Sequence, residues 1–437
     1  MNLEINKYVK NTLWVVSDKI LRMAIGIVVT IAMGRYLGPN NFGVFNYVIA
    51  YVGLFSTITY LGLNEIIITE IVKFPQSIYK VKGTVFLLIF FASLITIFLI
   101  AFSLLFQSNN FTTNIYILIL SLSLLFQPFY VIDYYFQSQV LSKYTVSSQF
   151  FSLIFISSLK LSLIYIDAPL KYFVIVALLE SALISLGLVI VYFKKSNNTF
   201  SSWTFDFLLA KKMLKNSWPI ILSSVSIAIY MRIDQLMLKD ILGFEAVGNF
   251  SVAVRLTELW YFVPMSIGSS FFPALINAKK LNEEMFNTRF LKLMSMMVLI
   301  SLTISIFTLF FSKFIILKLY GISYINAVQV LNIYIWASIF VFLGVVTSKW
   351  YIIENLNRLS FFRSLFGAFI NIGLNLILIP KFGINGAAIS TLISFSVQVY
   401  FSNLLFKKTR SLFYLQSNAL FLVYPFKYLI KSLKSRN

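Results

Sequence analysis

Leu37-Gly38-Pro39-Asn40-Asn41-Phe42-Gly43-Val44-Phe45 and Leu242-Gly243-Phe244-Glu245-Ala246-Val247-Gly248-Asn249-Phe250 share the pattern L-G-x-x-x-x-G-x-F, 205 residues apart in a chain of 437. Each lies between two apolar runs, and the run before each opens on a tryptophan, Trp14 or Trp218. A second correspondence follows at a similar offset. Tyr134-Tyr135-Phe136 and Trp350-Tyr351-Ile352 each close a later apolar run before a short polar loop. The chain therefore reads as two head-to-tail copies of one membrane unit.

Composition sets the class. Apolar residues make up 59% of the chain and charged residues 12%, where soluble domains carry about a quarter charged. Mean hydropathy is +0.86. The apolar runs are about 20 residues long, the length a helix needs to cross roughly 30 Å of hydrocarbon. Continuous rather than alternating apolarity selects helices over a barrel. The first span follows a short polar start and is expected to stay as an anchor rather than be cleaved. Cysteine and histidine are both absent, which excludes disulfides, thiolate chemistry and histidine acid–base work. No catalytic residue, cofactor or metal is expected, and a proton-linked step falls to carboxylates.

The fold expected is all-α, with about twelve transmembrane helices in two pseudo-symmetric six-helix bundles. The first lobe, 1–195, places spans near 12–34, 43–64, 83–106, 114–136, 146–166 and 172–193. A cytoplasmic linker is expected over 196–217. The second lobe, 218–406, places spans near 218–238, 247–272, 293–312, 326–348, 364–380 and 385–406. A basic tail, 407–437, follows; within it Leu420 to Ile430 is apolar enough to lie along a membrane surface, with Pro425 breaking any helix there. With the N-terminus inside, the inner segments hold 24 of the 36 Lys and Arg and the outer loops 6. That asymmetry puts both termini in the cytoplasm. It also assigns the net charge of +21 to topology rather than to nucleic-acid binding. The outer loops are short, which leaves no room for the extracytoplasmic domain a membrane polymerase uses.

Ionisable residues inside spans are costly and mark candidate sites, against the alternatives of helix–helix pairing and snorkelling. Asp18 and Arg22 share a face of the first span, so Arg22 either pairs there or lines a cavity. Lys160 and Glu180 lie at comparable depth; they either pair, or Glu180 titrates as an ion-coupling group. Asp133 reads as an interfacial acid. Ser223, Ser226, Tyr230 and Asp234 form a polar stripe at helical spacing, with Arg232 on the opposite side. Arg255 and Glu258 share one face, as a closed pair or as cavity lining. Buried arginines suit a diphosphate, because a guanidinium matches phosphate oxygens bidentately. Tyr230 and Tyr261 are candidates to stack on a sugar.

The runs Gly34-Arg35-Tyr36-Leu37-Gly38-Pro39 with Phe42-Gly43, Arg232-Ile233-Asp234-Gln235-Leu236-Met237-Leu238, and Val247-Gly248-Asn249-Phe250 through Leu256 resemble the Wzx-type polysaccharide flippases. Tyr320-Gly321 with Tyr324, and Ile379-Pro380-Lys381-Phe382-Gly383-Ile384-Asn385-Gly386-Ala387-Ala388, add to a likeness that runs from Asn11 to about Phe406. The resemblance implies a MATE-like fold whose bundles enclose a cavity open alternately to either side. It implies translocation of undecaprenyl-diphosphate-linked oligosaccharide, of the O-antigen or capsule type, across a bacterial cytoplasmic (inner) membrane. Arg22 and Arg255, with Tyr230 and Tyr261, are then the substrate-binding candidates. Asp18, Glu180, Asp234 and Glu258 are the candidates for coupling to H⁺ or Na⁺. Expected partners are the lipid-linked glycan, membrane lipids and a glycan polymerase, with no nucleic acid. The related lipid II flippases carry two further helices, which twelve spans do not include. The competing readings are a multidrug/cation antiporter of the same fold and a membrane glycosyltransferase or polymerase. Buried arginines weigh against the first, and short outer loops and the lack of histidine against the second.

Overall fold

The computed structural model describes the backbone of residues 2–196 and 200–421, and their side chains apart from 2–13, 15–20, 65 and 357. Eleven helical stretches among these residues are long and apolar enough to cross a bilayer. The first, Leu21–Thr59, runs 39 residues, about 58 Å at 1.5 Å per residue and too long for one crossing. It is broken at Gly38 (φ 69°, ψ 170°). Taken as two, it brings the crossings to twelve.

That break is the repeated motif at work. The first glycine of the second copy, Gly243, has φ 91° and ψ −177°. Only glycine takes this backbone without steric cost, so each L-G marks the corner between the first and second helices of its unit. A second corner is also duplicated. Val140 (φ 56°) and Asn355 (φ 57°) are both left-handed. Leu141 N–H donates to the Phe136 carbonyl at 2.9 Å, and Leu356 N–H to that of Tyr351 at 2.8 Å, the same helix-ending turn. The turns pair Phe136 with Tyr351, so the aromatic correspondence is shifted one residue from the Tyr135–Tyr351 pairing read from sequence.

The chain divides into two compact units, Met1–Arg232 and Ile233–Asn437. The first holds α1 (Asn2–Thr59), α2 (Asn64–Lys73), α3 (Ile78–Ser103), α4 (Phe111–Ser121), α5 (Tyr130–Ser138), α6 (Lys143–Tyr165) and α7 (Leu170–Lys195). The division falls within α8 (Phe207–Leu242). The second unit continues through α9 (Phe244–Glu258), α10 (Phe262–Leu281), α11 (Glu283–Leu319), α12 (Asn326–Tyr334), α13 (Ala337–Ile353), α14 (Asn357–Phe382), α15 (Ile384–Val399) and α16 (Arg410–Leu420). In the first unit α1 packs on α6 and α6 on α7; in the second α14 and α15 form the most extensive pair. The tail therefore begins as a helix docked on the bundle. Gln416 of α16 is buried and donates to Thr347 at 2.9 Å. Most of the surface segment expected over 420–430 lies outside the described residues.

Residues 200–206 of the linker are strapped to the first unit. Lys82 is fully buried and, among the described residues, has no carboxylate partner. Its Nζ donates to the Tyr192 hydroxyl at 2.8 Å, and Trp203 Nε1 donates to the same oxygen at 2.8 Å. Around the ammonium stand the rings of Tyr135 at 4.5 Å and Tyr79 at 4.9 Å. Aromatic faces compensate a desolvated cation by about 2 kcal/mol. Asp206 caps α8 by accepting from Leu209 N–H at 3.0 Å, which holds its carboxyl below the usual aspartate range. Its own N–H donates to Thr84 at 3.0 Å. A Cβ on Gly83 would stand 2.5 Å from the Thr204 carbonyl oxygen, and backbone cannot yield there. Gly83→Ala is expected to destabilise by about 1–3 kcal/mol and to expose the linker to limited proteolysis. Thermal melting and protease mapping check this.

Candidate functional site

The polar stripe on α8 leads inward. Ser226, Tyr230 and Asp234 are all buried. Ser223 and Ser226 satisfy themselves on the carbonyls of Pro219 and Leu222. Asp234 turns to residues that reading the sequence did not single out. Its Oδ1 accepts from Asn375 Nδ2 at 2.5 Å, and its Oδ2 from the Thr391 hydroxyl at 2.6 Å. Asn371 lies one turn from Asn375 on α14 and accepts from it at 3.3 Å. Thr391 also donates to the Ala387 carbonyl at 2.9 Å. The four side chains come from α8, α14 and α15, gathered because Gly383 (φ 60°) turns the chain between the last two. Gly386 then lets them touch: a Cβ there would collide with the Leu378 carbonyl.

Among the described residues no basic side chain forms an ion pair with Asp234. Asp234 is 4% exposed, and every hydrogen-bond partner it has here is neutral. Burying an unpaired carboxylate costs several kcal/mol, a cost that a proton or a small cation at the site would remove. Two polar atoms beside it, Asn371 Nδ2 and Asn375 Oδ1, have no hydrogen-bond partner among the described residues. Asn375 Oδ1 is thus an oxygen left over beside the Asp234 carboxylate and the Thr391 hydroxyl. An all-oxygen set suits a hard cation, and a single carboxylate balances one positive charge. Among the described residues no cluster of three His, Cys, Asp or Glu is assembled for a metal ion.

The first unit gathers a second polar group. Arg22 Nη2 donates to Gln149 Oε1 at 3.3 Å, joining α1 to α6. Lys160 and Glu180 form an ion pair at 2.7 Å, with side chains 15% and 33% exposed. Asp133 is half-buried and accepts from Gln137 at 2.9 Å. Arg22 and Glu180 come from separate spans, and among the described residues each has its own partner, Gln149 and Lys160.

Arg255 stands apart. It is exposed on a helix whose residues Val247–Val254, Leu256 and Thr257 are buried. Among the described residues no ion pair joins it to Glu258, so the closed-pair reading of these two fails. Its charge reaches the buried Tyr320 hydroxyl, opposing the rise to about 12 that burial imposes. Tyr261, expected beside a sugar, instead packs in the core of the second unit with Leu275, Phe290 and Phe342. The side chain of Asp18 lies outside the described residues.

These helices define a multi-pass, all-helical membrane protein of MATE-like fold. The chain is similar to a multidrug resistance MATE family transporter of the MOP superfamily in its inward-facing conformation, with TM-score 0.69 and 16% identity over 91% of this chain and 96% of that one. It is similar to the lipid II flippase MurJ in an inward closed conformation, with TM-score 0.70 and 17% identity over 94% and 92%. A MOP superfamily transporter from Pyrococcus furiosus, described by a reversed polarity of its binding pocket, gives TM-score 0.58 at 15% identity over 94% of each chain. Comparison with curated protein sequences found no match. Residues 8–279 match the polysaccharide biosynthesis protein family, and the chain belongs to that family.

Proposed function

We propose that this protein is a flippase that carries undecaprenyl-diphosphate-linked oligosaccharide from the inner to the outer leaflet of a bacterial cytoplasmic membrane. It works by alternating access, with both termini cytoplasmic, and draws on an ion bound at Asp234. Membership of a polysaccharide biosynthesis family together with a transporter fold supports a membrane-embedded glycan carrier. The observation that carries the substrate class is Arg255, an exposed guanidinium on an otherwise buried stretch of helix. Arg22 supplies a second intramembrane cation. Both suit a diphosphate and disfavour a cationic drug.

Arg255→Ala is expected to lower export about tenfold to a hundredfold, the worth of a charge-assisted hydrogen bond or two. Lys239→Ala serves as the control, because Lys239 is already paired with Asp240 at 2.9 Å. Surface polysaccharide measured at matched expression decides it; equal losses would remove Arg255 from the substrate path. Deletion in the native host is expected to strand lipid-linked units on the cytoplasmic leaflet. Intact polysaccharide with new drug sensitivity would favour an antiporter, and single units already on the outer leaflet a polymerase.

A further inference from the structure

Arg363 is a buried guanidinium with no carboxylate partner among the described residues. It sits six residues into α14 and is 5% exposed. Its Nε and Nη1 have no hydrogen-bond partner among the described residues. It lies over the face of Tyr351, 4.8 Å away. The Tyr351 hydroxyl is committed elsewhere, donating to Asn403 at 2.7 Å. No Asp or Glu follows Glu354 in the sequence, while ten Lys and Arg do. A cation so placed costs several kcal/mol unless an anion from outside the chain meets it.

The guanidinium forms part of the wall of a cavity of about 290 Å³. Phe362, Phe366, Phe369, Leu405 and Phe406 are among its other lining residues, and all five are exposed on the surface of the unit. Lys407 and Lys408 follow Phe406 directly. Six residues of helix place Arg363 about 9 Å from the start of a 26-residue, roughly 39 Å helix. Centred on about 30 Å of hydrocarbon, such a helix overhangs by about 4–5 Å at each end, so Arg363 starts about 4–5 Å inside the head-group boundary, a distance its long side chain can span. An apolar groove open to the acyl chains therefore ends on a guanidinium within reach of the phosphate layer.

We propose that this groove binds one anionic phospholipid, its phosphodiester on Arg363 and an acyl chain along the phenylalanines. The charge and size both select that ligand. A single guanidinium matches a singly charged phosphodiester, and 290 Å³ admits part of a lipid but not an oligosaccharide. The site is separate from Asp234 and Arg255, and it stands whether or not the transported substrate is a glycan lipid.

The test is binding to the purified full chain in neutral detergent, read by native mass spectrometry and thermal melting. The probes are phosphatidylglycerol, phosphatidylethanolamine, undecaprenyl phosphate and inorganic phosphate. Phosphatidylglycerol is expected to bind about tenfold or more tighter than phosphatidylethanolamine and to raise the melting temperature. Arg363→Met should abolish that preference yet melt no lower than the wild type without lipid, because a buried charge has been removed. Leu405→Trp, which fills the groove and leaves the guanidinium in place, should lose the lipid as well. Unchanged phosphatidylglycerol binding in both variants would overturn the proposal. So would equal stabilisation by inorganic phosphate, or a preference for undecaprenyl phosphate, which would make the groove part of the substrate path.

Discussion

Asp234→Asn is expected to abolish ion-dependent stabilisation and to cut glycan-lipid export by about a hundredfold, without unfolding the protein. The wild-type carboxylate is held by Asn375 and Thr391, and asparagine keeps the shape and can accept or donate to both. What it loses is the charge. A buried charge without a protein counter-charge is a cost in the absence of its ion, so the variant should melt at or above the wild type in buffer free of small cations. An ion at a hundredfold excess over its Kd stabilises by roughly 2.7 kcal/mol; that increment should be present in the wild type and missing in Asp234→Asn. Melting in sodium against choline, repeated across pH, separates a sodium ion from a proton. A variant that keeps both the ion response and full export would show that Asp234 is only structural.

Gly386→Ala should be the most damaging of single-carbon changes in the second unit. The added Cβ would meet the Leu378 carbonyl oxygen and carbon and lie 2.8 Å from the Ile379 nitrogen. These are backbone atoms of α14, so relief requires α14 and α15 to separate. Overpacking of this kind costs about 1–3 kcal/mol, at times more. The consequence extends to the ion site, since Asn375 rides on α14 and Thr391 on α15. We expect lower thermal stability together with a weakened ion response. Gly373→Ala is the control, because a Cβ there meets nothing within 4 Å. Equal melting of the two variants would remove the close crossing from the account.

The helical class and the duplication were legible because runs of apolar residues specify crossings and the L-G-x-x-x-x-G-x-F motif recurs. The left-handed corners that Gly38 and Gly243 form there appear only in the structure. The ends of helices were not legible. α8 starts at Phe207, 11 residues before the span expected from hydropathy, because its basic first turns are helical outside the hydrocarbon. Asp234 was found from its stripe, but its partners were not. Asn371 and Asn375, four apart in an apolar span, are the signal that could have found them: two amides on one face of a membrane helix need a polar neighbour. Arg363 was counted as an inner basic residue, since a basic residue near a helix start looks the same whether it faces water or lies beneath phenylalanines. Tyr261 shows the reverse error, an aromatic assigned to substrate that the core absorbs.

Purified protein reconstituted in vesicles with a fluorescent polyprenyl-diphosphate oligosaccharide tests the central claim most directly, with a membrane-impermeant quencher reporting leaflet. The account predicts that lipid shielded in the inner leaflet becomes quenchable in the presence of the protein, at a rate that falls with Arg255→Ala and with Asp234→Asn. Vesicles in which the lipid-linked glycan stays protected, while a cationic dye crosses, would contradict it.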